Sequence, residues 1–317
     1  MSYSYCPLVH FPSSHGSSLS PAACRAACRL MQLTTYVVDS ALGRWTHHEW
    51  RSPELPPPLV GLVDGFWHFE GRTTFPRERT FPGGYLELIV HLGPRFRAVG
   101  DDGVTADSFP LACLTGVQTA PLVVEAPAAE CRVLGVRLRP LGACALLAGA
   151  AAESVGRTLD LEAVAGGAAR ELAERCHDAP TVEACFRRAA AWLAGRVAAG
   201  PAAHPGVAWA TAQLERSRGA ASITRLREQS GLGRTRFAEA FRAQVGLGPK
   251  RYARLLRFRH ALVALQRGAP ASAAALGAGY YDQPHLHADF REFAGMTPAA
   301  FARALRYHNA PSLAEPA

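Results

Sequence analysis

The last third of the chain repeats one pattern twice, and the repeat leaves few folds open. In the first copy Ser222 is placed to cap a short helix over residues 223–230. Gly231-Leu232-Gly233 then supplies a sharp turn, and residues 235–245 form a second helix. In the second copy residues 272–279 form the short helix, with Tyr280-Tyr281 packed on it. Asp282 caps the next helix over 283–293, with Pro284 in the first turn, where its missing N–H costs nothing. The copies close alike: Gly246-Leu247-Gly248-Pro249 leads to Tyr252, and Gly295-Met296-Thr297-Pro298 leads to Phe301. Residues 249–267 between them read as one long helix. Tyr252, Leu255, Leu256, Leu262 and Leu265 form its buried stripe, with Arg251 and Arg254 outside. Helical spacing turns Phe237, Ala240 and Phe241 inward in the first copy, and Leu286, Phe290 and Phe293 in the second. Thr235, Glu239 and Arg242 then face out, flanked by Arg236 and Ala238. Gln283, His287 and Ala288 do the same, with His285 at the margin.

The charge follows the repeat. The whole chain has 34 basic and 26 acidic side chains and a formal net charge of +8. Residues 1–204 hold 18 Arg against 19 acids, whereas residues 205–309 hold 15 Arg and Lys250 against 6 acids. The whole excess therefore sits on about a third of the chain, which points to a polyanion as the partner of that third. Arginine-rich helices that merely solvate themselves are the plainer alternative.

Ahead of the repeat the pattern changes. A length of 317 residues with 49% hydrophobic composition excludes a mainly disordered chain and suits about two domains. From about 33 to 140 the pattern is β. Leu86, Leu88, Val90 and Leu92 share one face of a strand, Arg132 to Leu138 form another, and residues 111–117 and 122–125 give shorter ones. Pro82-Gly83-Gly84 and Pro110 punctuate between them. From about 141 to 200 the chain is helical, with Leu161, Val164, Leu172, Phe186, Leu193 and Val197 as core positions, and Gly200-Pro201 ends that run. The fold class is thus α+β: a small N-terminal β-barrel or sandwich-like domain with following helices, then an all-α domain with two helix-turn-helix units. The expected boundaries are a disordered extension over 1–32, a β-rich then helical domain over 33–200, the basic domain over 205–309, and a tail over 310–317.

Several classes are set aside. No run approaches the ~18 apolar residues of a membrane span, so no membrane is expected as partner. Residues 1–30 lack the charged and apolar segments of a signal peptide, and Met31 is an alternative start. Eight cysteines without a C-x-x-C pair speak against a zinc ribbon. Cys24 and Cys28 share a helical face but would need two more ligands. No G-x-S-x-G elbow, P-loop or Rossmann fingerprint is present, so no cofactor and no enzyme activity is expected. A cytosolic chain with reduced thiols is the default.

Two strings carry a resemblance. Gly279-Tyr280-Tyr281-Asp282-Gln283-Pro284-His285-Leu286, followed by Phe290-Arg291-Glu292-Phe293-Ala294-Gly295-Met296-Thr297-Pro298, is similar to the C-terminal signature of AraC-type transcription regulators. Leu232 to Tyr252 resembles that family's first helix-turn-helix unit. The resemblance covers residues 220–305. It implies two recognition helices on a rigid linker, entering successive major grooves of double-stranded DNA about 34 Å apart. By position Arg234, Thr235, Arg236, Glu239 and Arg242 would read bases from the first unit, and Gln283, His285 and His287 from the second. Arginine can read guanine, glutamine adenine, and glutamate can accept from cytosine. Lys250, Arg251 and Arg254 suit phosphate, which positions without specifying. Where the family usually has a basic residue two positions before the aromatic Phe290, this chain has Ala288. The second helix should therefore contribute less affinity than the first. Tyr280 is expected to pack, and His285 has capping as its other reading. RNA polymerase and a second copy of the chain are partners of the kind such regulators use.

Residues of about 59–180 resemble an uncharacterised domain often found ahead of AraC-type units. The resemblance rests on Phe66-Trp67-His68-Phe69-Glu70-Gly71, residues 85–93, Gly116-Val117-Gln118-Thr119 and Gly135-Val136-Arg137-Leu138-Arg139-Pro140. By analogy it would sense a small molecule or mediate dimerisation. His68, Glu70, Glu87, His91 and Arg137 are the expected effector-pocket residues. The alternative from another class is a cupin-like, metal-dependent or ligand-transforming enzyme carrying a basic helical module. In that reading His68, His91 and a carboxylate, Glu70 or Glu87, form a facial metal triad.

Overall fold

The computed structural model describes residues 32–40, 43–51, 55–74, 76–100, 102–308 and 313–315. The expectations for the extension, for Cys24 and Cys28 and for a start at Met31 lie outside the described residues.

Ten strands come first: β1 Gln32–Ser40, β2 Gly43–Arg51, β3 Val63–Thr73, β4 Arg77–Thr80, β5 Leu86–His91, β6 Arg97–Val99, β7 Ala106–Ser108, β8 Ala112–Thr115, β9 Leu122–Glu125 and β10 Cys131–Leu138. Helix α1 Pro140–Leu146, strand β11 Thr158–Asp160, and helices α2 Leu161–Ala165, α3 Gly167–His177 and α4 Val182–Ala199 follow. After the extended residues 201–204 come α5 Pro205–Arg216, α6 Ile223–Gln229, α7 Arg234–Val245, α8 Pro249–Gln266, α9 Ala271–Gly277, α10 Gln283–Ala294 and α11 Pro298–His308. A last strand, β12 Leu313–Glu315, closes the chain.

The strands form two sheets in the orders β1-β2-β3-β10-β5-β8-β11 and β12-β4-β9-β6-β7, and all neighbours are antiparallel. The architecture is sandwich-like, not a closed barrel. Side-chain alternation gives the larger sheet two apolar faces. One face, with Phe66, Leu88, Val90, Leu134 and Val136, packs against the helices. There Trp50 stacks on Phe186 of α4 at 5.8 Å. The other face, with Trp67, Phe69, Cys113 and Val133, packs against Val124 of the smaller sheet. Gly135 is needed on this second face. A Cβ there would lie 1.9 Å from the Trp67 ring, so only glycine lets the indole lie on β10.

The first apolar cluster runs on without a break from the sheet through α4 and into the repeat, where it takes in Phe237, Phe241, Leu286, Phe290 and Phe301. Helix α7 packs on α1 and on the 3-10 turn Ala151–Ser154. At its end Gly246 adopts φ +91°. A Cβ there would approach Val155 Cγ2 to 2.9 Å, so the first helix pair is seated tightly on the front part. The chain end adds a second tie. Leu313–Glu315 pairs with Arg77–Arg79 at the edge of the smaller sheet.

Candidate nucleic-acid interface and cavity

Both helix pairs form as the sequence indicates. Gly231 and Gly279 turn between the helices at φ +74° and +75°, a region that costs glycine nothing. The Asp282 side chain caps α10 by accepting from the His285 backbone N–H at 3.0 Å. On α7, Phe237 and Phe241 are buried while Arg234, Thr235, Arg236, Glu239 and Arg242 are all exposed. Among the described residues no acidic side chain pairs with Arg234, Arg236 or Arg242, and Lys250 is likewise exposed at the start of α8.

The second pair is arranged differently. Gln283 is exposed and His287 half-buried. His285 is exposed, but its Nδ1 lies 2.6 Å from Asp282 Oδ1, so the ring is tied to the cap. Arg291, absent from the sequence-based set, is exposed one turn beyond His287, and that i,i+4 spacing was its available signal. Tyr280 packs as expected, its hydroxyl donating to Asp289 at 2.9 Å. Tyr281 does not pack on α9. It is 95% exposed, because the Gly279 turn sends the two neighbouring tyrosines opposite ways.

One phosphate candidate has other work. Arg254 is not a free outward charge: its guanidinium donates to Asp289 Oδ1 at 2.9 and 2.6 Å and to Glu292 Oε2 at 2.5 Å. It bridges α8 to α10. Helical spacing placed it outside the apolar stripe but could not show which carboxylates meet it there. Arg251 also reaches Glu292, at 3.3 Å.

The front part holds a cavity of about 90 Å³ between the two sheets, walled by Trp67, Phe81, Tyr85, Ile89, Phe96, Phe109 and Val133. Its polar lining includes Glu87, His91, Thr115 and Gln118. Glu87 accepts from Trp67 Nε1 at 3.2 Å, and Arg137 Nε lies 3.6 Å from the same oxygen. Burial raises the Glu87 carboxyl above its ordinary range, against the opposing pull of Arg137 and Trp67. His91 donates from Nδ1 to the Pro110 carbonyl at 3.1 Å, and burial pulls it down to about 4. It is therefore a neutral ring.

The expected pocket set splits in two. In the register, Val133 of β10 stands opposite both Phe69 and His91, and Leu134 opposite both His68 and Val90. Glu87, His91 and Arg137 thus share the cavity face, while His68 and Glu70 belong to the other face of the sheet. His68 is buried beside His48, with ring centroids 5.9 Å apart, and Glu70 is exposed. A one-residue offset in a strand reverses its faces, so a triad that needs both His68 and His91 does not assemble. No group of three or more His, Cys, Asp or Glu among the described residues is placed to hold a metal. No described helix is long and apolar enough to cross a membrane.

Comparison with known proteins agrees with the domain order. Residues 226–304 match the helix-turn-helix domain family, and residues 54–160 match a domain of unknown function (DUF6597). The C-terminal part is an AraC-type helix-turn-helix domain, and with it the chain falls in the class of DNA-binding transcription regulators. Among solved structures, ToxT from Vibrio cholerae O395 is similar at 7% identity, over 72% of this chain and 93% of its own, with a TM-score of 0.42. ToxT bound to (E)-4-(8-methylnaphthalen-1-yl)but-3-enoic acid gives 7% identity over 74% and 97%, with a TM-score of 0.42. Vicilin from Capsicum annuum gives 15% identity over 39% and 35%, with a TM-score of 0.19. No curated protein matches the chain.

Proposed function

We propose that the chain is a sequence-specific regulator acting in the cytoplasm, which reads double-stranded DNA through α7 and α10 and senses a small molecule in the cavity between its sheets. The reading takes residues 33–200 as the sensing part and 205–309 as the DNA-binding part. The observation that carries it is the exposed face of α7. Among the described residues Arg234, Arg236 and Arg242 stand there without acidic partners, over a helix pair whose Leu226, Phe237, Phe241 and Val245 are buried. Arg234, Thr235, Arg236, Glu239 and Arg242 are the assigned base-facing residues of α7, with Gln283 and His287 on α10. His285 contributes through the cap. Lys250 and Arg251 serve phosphate, and Arg291 joins the α10 set. On this reading α7 supplies more affinity than α10.

Glu87, His91 and Arg137 are the assigned polar groups of the effector site. The aromatic walls favour a small, flat and largely apolar molecule with a polar group facing Glu87. Pairing between two copies and contact with RNA polymerase remain parts of the regulator reading without an assigned surface. No residue is assigned catalysis.

The test is selection from random duplexes with the full chain. One enriched sequence is expected, with affinity falling as salt rises at a log–log slope near −5 for about six phosphate contacts. Arg236→Ala and Arg242→Ala should each cost about 1–3 kcal/mol and relax one base position. No enriched sequence would overturn the reading. Unchanged binding in both variants, with loss in His287→Ala, would reverse the ranking of the two helices.

A further inference from the structure

A second and larger cleft, of about 750 Å³, opens where the front sheet meets α5 and α8. Its lining includes Arg139, Arg216, Arg218, Arg259, Arg267 and His260, against two carboxylates, Asp64 and Glu215. Both carboxylates are already engaged. Arg139 lies 3.6 Å from Asp64 and 3.4 Å from Glu215, and Glu215 also accepts from the Tyr252 hydroxyl at 3.1 Å. Arg218 and Arg259 rest on neutral groups. Arg218 donates to His260 Nε2 at 2.8 Å, and the Arg259 guanidinium lies over the Tyr85 ring at 5.2 Å. His260 reports the local potential: burial, then Arg218 and Arg267, lower its pKa, so it stands as a neutral acceptor.

We propose that this cleft is a binding site for a small polyanion, a phosphorylated or polycarboxylate metabolite, held between the front sheet and the linker helix. The volume lies within the range of ordinary ligand sites. Planar guanidinium forks match phosphate and carboxylate oxygens in pairs, and the space is approached by Arg216 and Arg218 from the end of α5 and by Arg259 from α8. The position separates it from the DNA-reading surface. Arg259 and Val263 line the cleft from one side of α8, while Arg254, about half a helical turn around, holds α10 on the other. It is also distinct from the cavity between the sheets. Among the described residues only Tyr85 lines both, so the site stands whether or not that cavity takes an effector.

The experiment is calorimetric titration of the full chain with inorganic pyrophosphate and, separately, with citrate, at constant ionic strength. Saturable one-to-one binding of at least one probe is expected, and which of the two binds tells phosphate from carboxylate selectivity. The Arg218→Gln/Arg259→Gln variant should weaken binding about tenfold or more, since two charge-assisted contacts to the anion are lost. Arg216→Gln, an exposed position at the cleft, should weaken it several-fold. It keeps the test decisive should the double variant fail to fold. The Arg236→Ala/Arg242→Ala variant locates the anion and should leave its affinity unchanged. The proposal fails if neither probe saturates, if the cleft variants bind as the wild type does, or if the α7 variant weakens binding as much as they do.

Discussion

Asp289→Ala should be one of the most damaging single changes outside the apolar core. Asp289 is only 4% exposed, and three hydrogen bonds converge on it: two from Arg254 and one from the Tyr280 hydroxyl. Its removal leaves the buried Tyr280 hydroxyl without its acceptor, at about 1–3 kcal/mol. The bonds from Arg254 are charge-assisted and would nominally add about 1.5–3 kcal/mol each. Most of that must be discounted, because the Arg254 side chain is 37% exposed and keeps Glu292. A net loss of about 3 kcal/mol results. Urea denaturation followed by circular dichroism measures it, and a double-mutant cycle with Arg254→Met apportions it. In the Arg254→Met background the loss should shrink to the Tyr280 share, a coupling of about 1.5 kcal/mol. A loss below about 1 kcal/mol, or the same loss in both backgrounds, would refute the view that Asp289 ties α8, α9 and α10 together.

Two further outcomes concern pH. His68 is buried and its pKa is lowered to about 3, chiefly by desolvation, so below pH 6.5 the unfolded chain takes a proton that the folded chain refuses. Stability owed to the neutral ring is therefore present above pH 6.5 and lost as pH falls toward 3. His68→Gln should flatten the stability-versus-pH curve by about 1.4 kcal/mol per pH unit in that window; an unaltered slope would mean the ring is not the group titrating. Glu78 is fully buried without a hydrogen-bond partner among the described residues, and burial raises its pKa well above 4.5. The sign is opposite. Above pH 4.5 the unfolded chain ionises first and wild-type stability declines, so Glu78→Gln should gain on the wild type between pH 4 and 7. A difference that stays constant over that range would contradict a protonated Glu78.

The strands and helices were legible because each carries its own period. Leu86, Leu88 and Val90 alternate as a strand must, and Phe237 and Phe241 recur as a helix must. What the local pattern does not encode is which face of one strand joins which face of another. His68 sits in β3 and His91 in β5, and their relation is set only through β10, which pairs with both. The metal triad and two of the five expected pocket residues, His68 and Glu70, fail at that step. Arg254 shows the same limit in helices. Periodicity put it outside the apolar stripe, but Asp289 and Glu292 reach it from a helix some 35 residues further on. The edge pairing of Leu313–Glu315 with β4 likewise has no local signature beyond three residues of ordinary strand composition. The α7 face was readable because exposure of a helix side follows directly from burial of its opposite side.

The segment Phe81-Pro82-Gly83-Gly84-Tyr85, which the sequence marks only as a turn, meets the DNA-binding part at both ends and in the middle. Phe81 walls the sheet cavity and also sets its ring edge-on to Phe301 at 5.3 Å. Phe301 in turn contacts Phe290 of α10 at 6.0 Å. Tyr85 walls the same cavity and lies between Arg137, 4.8 Å from its ring centre, and Arg259 of α8 at 5.2 Å. Gly84 sits at φ +73°, where a Cβ would already touch Leu256 at 3.3 Å, so the turn has no slack against the linker helix. On the proposed reading, a molecule that fills the 90 Å³ cavity would lie against these two rings, because they are part of its wall. Cores pack too densely to absorb a shift of these rings locally, and it passes to whatever the rings touch. A ligand can bias DNA binding only through a difference in its affinity for two arrangements of the chain. Of the cavity's aromatic walls, Phe81 and Tyr85 are the two that also touch the DNA-binding part, whereas Trp67, Phe96 and Phe109 pack within the two sheets.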